Sequence, residues 1–184
     1  MNLIDSLISS LFEINSKEDF SMLAKQVFLF QYDNNEVYNL WCKELSVEKE
    51  DVKTIDDIPF LPISFFKTKK ISSIQKQEDT FFLSSGTTSM QRSKHLVYDK
   101  SLYLKNCEDC FSQFYDKVED YCFICLLPNY MDNPNSSLIC MMNDFVKKSK
   151  EKGSRFFKNN LNDVISLLED NERKGKNTIL FGVT

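Results

Sequence analysis

The residues best suited to chemistry lie in one stretch, S-S-G-T-T-S-M-Q-R-S-K-H, residues 84–95. Seven of its twelve residues are Ser, Thr or Gly, and Arg92, Lys94 and His95 (the sole histidine) can carry positive charge. Ser84, Ser85, Thr87, Thr88 and Ser89 set hydroxyl donors beside backbone N–H groups. Gly86 lets the backbone approach closely and take positive φ. Such a nest suits phosphate oxygens, which only accept hydrogen bonds. Arg92 is the better fork for a phosphate, with Lys94 as a second cation. The same composition also fits an ordinary solvated turn, and His95 equally fits a strand residue with a structural hydrogen bond. A Walker loop is excluded, because G-x-x-x-x-G-K-[ST] running into a helix is missing.

Six cysteines offer a second chemistry. Cys107/Cys110 and Cys122/Cys125 have the C-x-x-C spacing of a four-cysteine zinc site. The elements around them oppose that reading. Cys107 and Cys110 fall in a helical segment, whereas Y-C-F-I-C-L-L reads as a buried strand that would turn Cys122 and Cys125 to opposite faces. Zinc-ligand pairs usually sit on turns, often beside glycine, and neither pair does. Buried free thiols are the better account, since cysteine behaves as a small hydrophobe.

The elements that must position these groups follow from periodicity. Ser16-Lys-Glu-Asp19 has the form of a capping box before an apolar stripe of Phe20, Leu23, Ala24, Val27 and Phe28. A short helix is expected from Asn35 to about Leu45, with Val37, Leu40 and Trp41 inward. Residues 51–58 read as turns. Residues 58–71, I-P-F-L-P-I-S-F-F-K-T-K-K-I, read as extended, because Pro59 and Pro62 stop a helix. Residues 79–83 and 95–99 read as strands, so the hydroxyl-rich stretch joins two strands. A helix follows from Ser101 to about Val118, then a buried strand over 121–127. Asn135 or Ser136 caps a helix with Leu138, Met141, Met142 and Phe145 inward. Lys147, Lys148, Lys150 and Lys152 then Gly153 fit its C-terminal end. A further helix over 161–173 carries Leu161, Val164, Leu167 and Leu168 on one stripe, and 177–183 reads as a buried strand. Strand, helix, helix, strand with continuous apolar runs indicates a parallel crossover. The fold class is α/β: N-terminal helices, then a mixed or parallel sheet with flanking helices. The expected organisation is a single domain over 1–184, with a helical lead-in over 1–55 and an α/β part over 56–184.

Composition narrows the function. At 184 residues with 42% hydrophobic and 27% charged residues, the chain is globular. Its net charge of −4 argues against a nucleic-acid binder. No stretch is long and apolar enough to span a bilayer, and the start lacks the basic region of a secretory signal, so a cytoplasmic setting is expected. Sixteen phenylalanines suggest a bulky core or an apolar pocket. The final F-G-V-T reads as the entry to a strand-end loop, where open α/β sheets place ligands, so the chain reads as part of a longer protein.

Four ordered segments carry a resemblance: L-P-I-S-F-F-K-T-K-K-I (61–71), F-F-L-S-S-G-T-T-S-M-Q-R-S-K-H (81–95), L-L-P-N-Y-M-D-N-P-N-S-S-L (126–138) and I-L-F-G-V-T (179–184). Together they resemble the bacterial acyl-protein synthetase family, a branch of the adenylate-forming superfamily, over about residues 55–184. The resemblance implies ATP- and Mg²⁺-dependent activation of a carboxylic (fatty) acid to an acyl-adenylate, followed by acyl transfer to a thiol. It implies as partners the acid substrate and an acyl-carrier or reductase protein. Ser84, Ser85, Gly86, Thr87 and Thr88 match the phosphate loop, with Arg92 and Lys94 downstream. His95, Tyr130, Ser136, Gly182 and Thr184 match positions that could line the acyl or nucleotide pocket, although Ser136 also suits a helix cap. No catalytic residue and no protein metal ligand carries over. The superfamily commonly has Gly where Ser89 stands. None of the six cysteines matches the acyl-accepting one, and the later nucleotide motifs are not in the chain. The alternative is an inactive remnant or a partner-binding module that keeps the fold.

Overall fold

The computed structural model describes residues 3–85, 91–127, 133–158 and 160–182. They fall into two compact units, the first within Met1–Gln77 and Thr88–Leu96, the second within Glu78–Thr87 and Val97–Thr184.

The first unit is helical, with α1 over Leu3–Leu11, α2 over Lys17–Asn34, α3 over Glu36–Glu44 and a single turn, α4, over Phe65–Thr68. Ser16 caps α2 as its spacing predicts, its Oγ accepting from the Asp19 N–H (3.0 Å). Asp19 reaches back to the Asn15 N–H (3.2 Å) instead of the cap residue. Asn35 ends one helix and starts the next. Its N–H donates to the Gln31 carbonyl at the end of α2, while its Oδ1 accepts from the Tyr38 N–H to open α3. The inward face of α3 is Tyr38 and Cys42; Leu40, expected inward, is 55% exposed. A helix beginning at residue 36 carries Leu40 about 200° from Tyr38, the far side from the core.

That core gathers Phe28, Tyr32, Tyr38, Cys42 and Val52. Phe28 meets both tyrosines edge-on, at 5.9 and 6.2 Å between ring centres, the geometry the ring quadrupole favours. The Tyr32 hydroxyl donates to Glu48 (2.7 Å). Residues 51–58 form the expected turns, with short 3-10 pieces at Lys49–Asp51 and Ile55–Asp57. The segment after Pro62 is not wholly extended. The Phe65 N–H donates to the Pro62 carbonyl, and α4 follows. Proline blocks a helix interior but not its opening turn, where its missing N–H needs no partner.

The second unit holds β1 (Thr80–Leu83), α5 (Lys100–Ser112), β3 (Cys122–Leu126), α6 (Ser137–Lys148), β4 (Arg155–Phe156), α7 (Leu161–Arg173) and β5 (Thr178–Gly182); of the strand β2 (Lys94–Val97) only Val97 belongs to it. The expected α/β class holds. β3, β4 and β5 form a parallel sheet in the order β4–β3–β5. β3 is its centre, and its residues from Cys122 to Cys125 are buried. Phe123 and Cys125 pack with Val118, Met142 and Phe145 on one face, and Cys122 and Ile124 with Phe157 and Val164 on the other. α6 therefore covers one face and α7 the other.

Several expectations change. β4 is a strand that periodicity cannot announce, because two residues carry no alternation. α5 is capped by Asp99, whose Oδ1 accepts from the Ser101 and Leu102 N–H groups, and it stops at Ser112, short of Val118. Val118 lies in a separate 3-10 turn, fully buried. β5 is less buried than its apolar run suggests. Leu180 is 49% exposed, since β5 has a single neighbour among the described residues.

α7 matches its predicted bounds and ends as a Schellman motif. Gly175 has φ +62°, its N–H donates to the Glu172 carbonyl, and the Lys176 N–H donates to the Asn171 carbonyl. Gly153 is not the stop of α6, which ends at Lys148 with Ser149 as its cap. Gly153 makes room instead: a Cβ there would lie 3.0 Å from Cys122 Sγ and 3.1 Å from Leu167 Cδ1. Gly153→Val is therefore expected to cost about 1–3 kcal/mol by overpacking the α7 side of β3, read as a lower urea midpoint at unchanged slope.

Candidate functional site

In the second unit the end of β1 meets the turn that opens α6 at groups that could bind a ligand. The Leu83 N–H, at the end of β1, donates to the Asn135 carbonyl (3.0 Å). That bond sets Ser84 and Ser85, both exposed, beside the turn that opens α6. Ser136 is the cap of α6, its Oγ accepting from the Ile139 N–H (3.3 Å). The first turn of this twelve-residue helix presents N–H groups and the positive end of its dipole near the two serines. Anion sites are commonly built from these parts.

The turn is buttressed from below. The Tyr103 hydroxyl donates to the Ser137 carbonyl (3.0 Å), and its ring packs on Phe82 of β1 at 4.9 Å between centres. Burial holds Tyr103 above the ordinary tyrosine range, so it stays a neutral donor. The Lys100 N–H donates to Asp79 (3.2 Å), and the Asp79 N–H to the Val97 carbonyl (2.9 Å), fixing the base of β1 against the end of β2.

The carboxyl ends of β3 and β5 lie side by side, with Leu126 in register with Gly182. The helices of the two crossovers cover opposite faces, so the gap between β3 and β5 is the switch point at which open α/β sheets bind ligands. Gly182 is not demanded by space, as a Cβ would sit 3.5 Å from Leu126 Cβ, an ordinary contact. Gly86, Thr87, Thr88, Tyr130 and Thr184 lie outside the described residues.

Arg92, Lys94 and His95 belong to the first unit and are exposed. The His95 imidazole stacks on Phe66, ring centres 5.7 Å apart and planes 24° apart. Phe66 also lines a cavity of about 440 Å³ within this unit. The cavity is walled by Phe20, Ala24 and Val27 of α2, and by Ile58, Phe60 and Leu61 of the segment that follows α3. Sequence reasoning missed this group: phenylalanine abundance allowed a pocket but did not locate it, and Phe20, on the apolar stripe of α2, is 53% exposed.

The cysteines do not form a site. Cys122 and Cys125 point to the two faces of β3 as strand geometry requires. All six thiols are free, with Cys107 half-buried and Cys110 exposed, contrary to uniform burial. Among the described residues no three His, Cys, Asp or Glu gather as a metal cluster. No described helix is long and apolar enough to cross a membrane.

The acyl-protein synthetase family, LuxE, matches residues 3–132. The chain belongs to this family. The match takes in the N-terminal helices, which the four motifs of residues 61–184 had left out. Among curated relatives, the long-chain-fatty-acid–luciferin-component ligase of Aliivibrio fischeri is 33% identical over 85 residues, 46% of this chain and 22% of that protein. The enzyme of the same name from Vibrio harveyi is 36% identical over 76 residues, 41% of this chain and 20% of that protein. The chain thus spans about a fifth of the length of the curated relatives it matches. No solved structure matches it.

Two outcomes follow from this geometry. Ser136→Ala removes a helix cap and should lower stability by about 1 kcal/mol, read by chemical denaturation. Thiol alkylation should separate the cysteines. Burial pushes the Cys125 thiol up to about 12, and only a thiolate attacks. The stability this neutral thiol contributes holds below its unfolded value of about 8.5 and is lost as pH rises through about 12. At pH 8 in the native state, peptide mapping should find Cys110 modified first and Cys125 unmodified until denaturant is added.

Proposed function

We propose that this chain serves an ATP-dependent ligase that activates a long-chain carboxylic acid, and that residues 84–88 grip the leaving phosphates. Membership of the acyl-protein synthetase family carries this reading. The fatty-acid ligase names of its two curated relatives point the same way. The neighbourhood of Ser84, Ser85 and the opening turn of α6 supports it, because hydroxyls, backbone N–H groups and a positive helix end complement phosphate oxygens.

The chemistry is a displacement at phosphorus. A carboxylate oxygen of the acid attacks the α-phosphorus of ATP. An acyl C–O–P bond forms, the bond from the α-phosphorus to the bridging oxygen breaks, and pyrophosphate departs with that oxygen and its electron pair. Negative charge accumulates on the departing group, so donors and cations already aimed at it lower the barrier. Ser84, Ser85, Thr87 and Thr88 donate, Gly86 allows the backbone to close in, and Arg92 and Lys94 supply charge. Mg²⁺, were it to accompany the nucleotide, would neutralise phosphate charge, and no residue of this chain is assigned to hold it. In the second half-reaction a thiol sulfur attacks the acyl carbon and AMP leaves. None of the six cysteines of this chain is assigned as that thiol; an acyl-carrier or reductase partner would supply it.

Calorimetry of the chain with MgATP and with pyrophosphate tests the assignment. Thr87→Ala and Gly86→Val should each weaken binding about tenfold or more, the loss of one or two charge-assisted hydrogen bonds, with melting temperatures within a few degrees of the parent. A folded chain that binds neither ligand, or variants of unchanged affinity, would overturn it.

A further inference from the structure

We propose that the cavity of the first unit seats the hydrocarbon tail of a straight-chain carboxylic acid, with its carboxylate end beside His95. The choice of an acid rests on the function proposed above; the cavity itself does not.

Its size is the first argument. At about 440 Å³ this solvent-open groove falls in the range of small-molecule sites, roughly 300–1,000 Å³. Its apolar walls face water, and a bound tail would cover them.

The lining is the second argument. Phe20, Ala24 and Val27 come from one stripe of α2, spaced four and three residues apart, and with Ile55, Ile58, Phe60, Leu61, Phe66 and Ile71 they wall an apolar trough. None of the thirteen lining residues is charged. Its amide oxygens are already in use: Gln31 Oε1 accepts from Ser73 and from Asn35 Nδ2 (3.2 Å), and Asn35 Oδ1 accepts from the Tyr38 N–H (3.2 Å). A sugar or nucleobase would lose hydrogen bonds on entering such a space, whereas a hydrocarbon loses none.

Access and direction are the third. Phe60 is 74% exposed and Phe20 53% exposed, so two aromatic walls of the cavity reach solvent and form its mouth. Phe66 is at once a wall residue and the platform on which the His95 imidazole stacks. One side chain therefore joins the apolar trough to the basic stretch Arg92–Lys94–His95. An ionised carboxyl group, excluded from the uncharged interior, meets the ring N–H of His95 at that end.

The test is calorimetry of the whole chain with octanoic, decanoic, dodecanoic and tetradecanoic acids below their micellar concentrations, without nucleotide. Affinity should rise about fourfold for each added CH₂ until the trough is full. Ala24→Phe, which fills the trough, should weaken tetradecanoic acid at least tenfold. Phe60→Ser, at an exposed position that does not threaten folding, should weaken it at least threefold. His95→Ala should weaken the acid but not 1-tetradecanol. Ala24→Phe and Phe60→Ser should bind MgATP as the parent does, and all three variants should keep the parent's circular-dichroism spectrum, readouts that a general loss of structure would move. Binding independent of chain length, unchanged affinity in the folded Ala24→Phe and Phe60→Ser proteins, or a trough closed by self-association that the acid does not reverse, would each overturn the proposal. Failure of the phosphate site is told apart: acids would then bind with the stated chain-length series while MgATP does not bind at all.

Discussion

The second unit depends on the burial of β3 on both faces. Residues from Cys122 to Cys125 have no solvent-facing side, so their side chains need apolar neighbours and their backbone groups need partners, in the sheet or, for the Phe123 N–H, at Ser154 Oγ (3.0 Å). β4 and β5 supply the ladders, and α6 and α7 supply the two covers. Parallel strands cannot be joined by a tight turn, so each ladder requires a helix between strands. The positions of the helix openings follow from this. α6 must start above the carboxyl end of β3, and its cap at Ser136 brings Asn135 to the end of β1. The setting of Ser84 and Ser85 is in this sense a by-product of covering β3.

Small features adjust that cover. Gly153 lets the chain pass close to Cys122 and Leu167 before β4. Asn171, buried near the end of α7, donates from its side chain to Thr178 Oγ1 (3.0 Å) and from the following turn receives the Lys176 N–H at its carbonyl. The polar atoms of this residue thus join the helix end to the start of β5. Around the other face, Phe111 of α5 touches Tyr115, Tyr121, Phe123 and Phe145. This ring cluster accounts for several of the sixteen phenylalanines. The apolar trough of the first unit uses others.

Legibility from the sequence tracked the length and regularity of each signal. α7 was readable to its last residue because its four-residue apolar stripe, Leu161, Val164, Leu167 and Leu168, is regular. β3 was readable as an unbroken apolar run. β4 was not, because pairing with β3, and not local pattern, makes Arg155 and Phe156 a strand. α4 was hidden by treating Pro62 as a stop when it can also be a start. α5 was drawn too long because Phe114 and Tyr115 continue the apolar pattern after the backbone has left the helix. The hydroxyl-rich stretch was legible as composition and, with its companions, as a resemblance to the family; its residues 86–90 lie outside the described structure. The trough was not legible, because a cavity is defined by what residues distant in sequence fail to fill.

Asn35 carries a consequence of a different kind. It closes α2 and opens α3 with no residue to spare between them. Helix phase is therefore transmitted through this point: each residue inserted or deleted there would turn α3 by about 100° about its own axis relative to α2. Tyr38 and Cys42 would swing out of the core and Leu40 toward it. Substitutions around this junction can be absorbed one at a time, but changes of length cannot, so the spacing from Phe28 to Cys42 is a fixed quantity of the fold even where the residue types between them are free to vary.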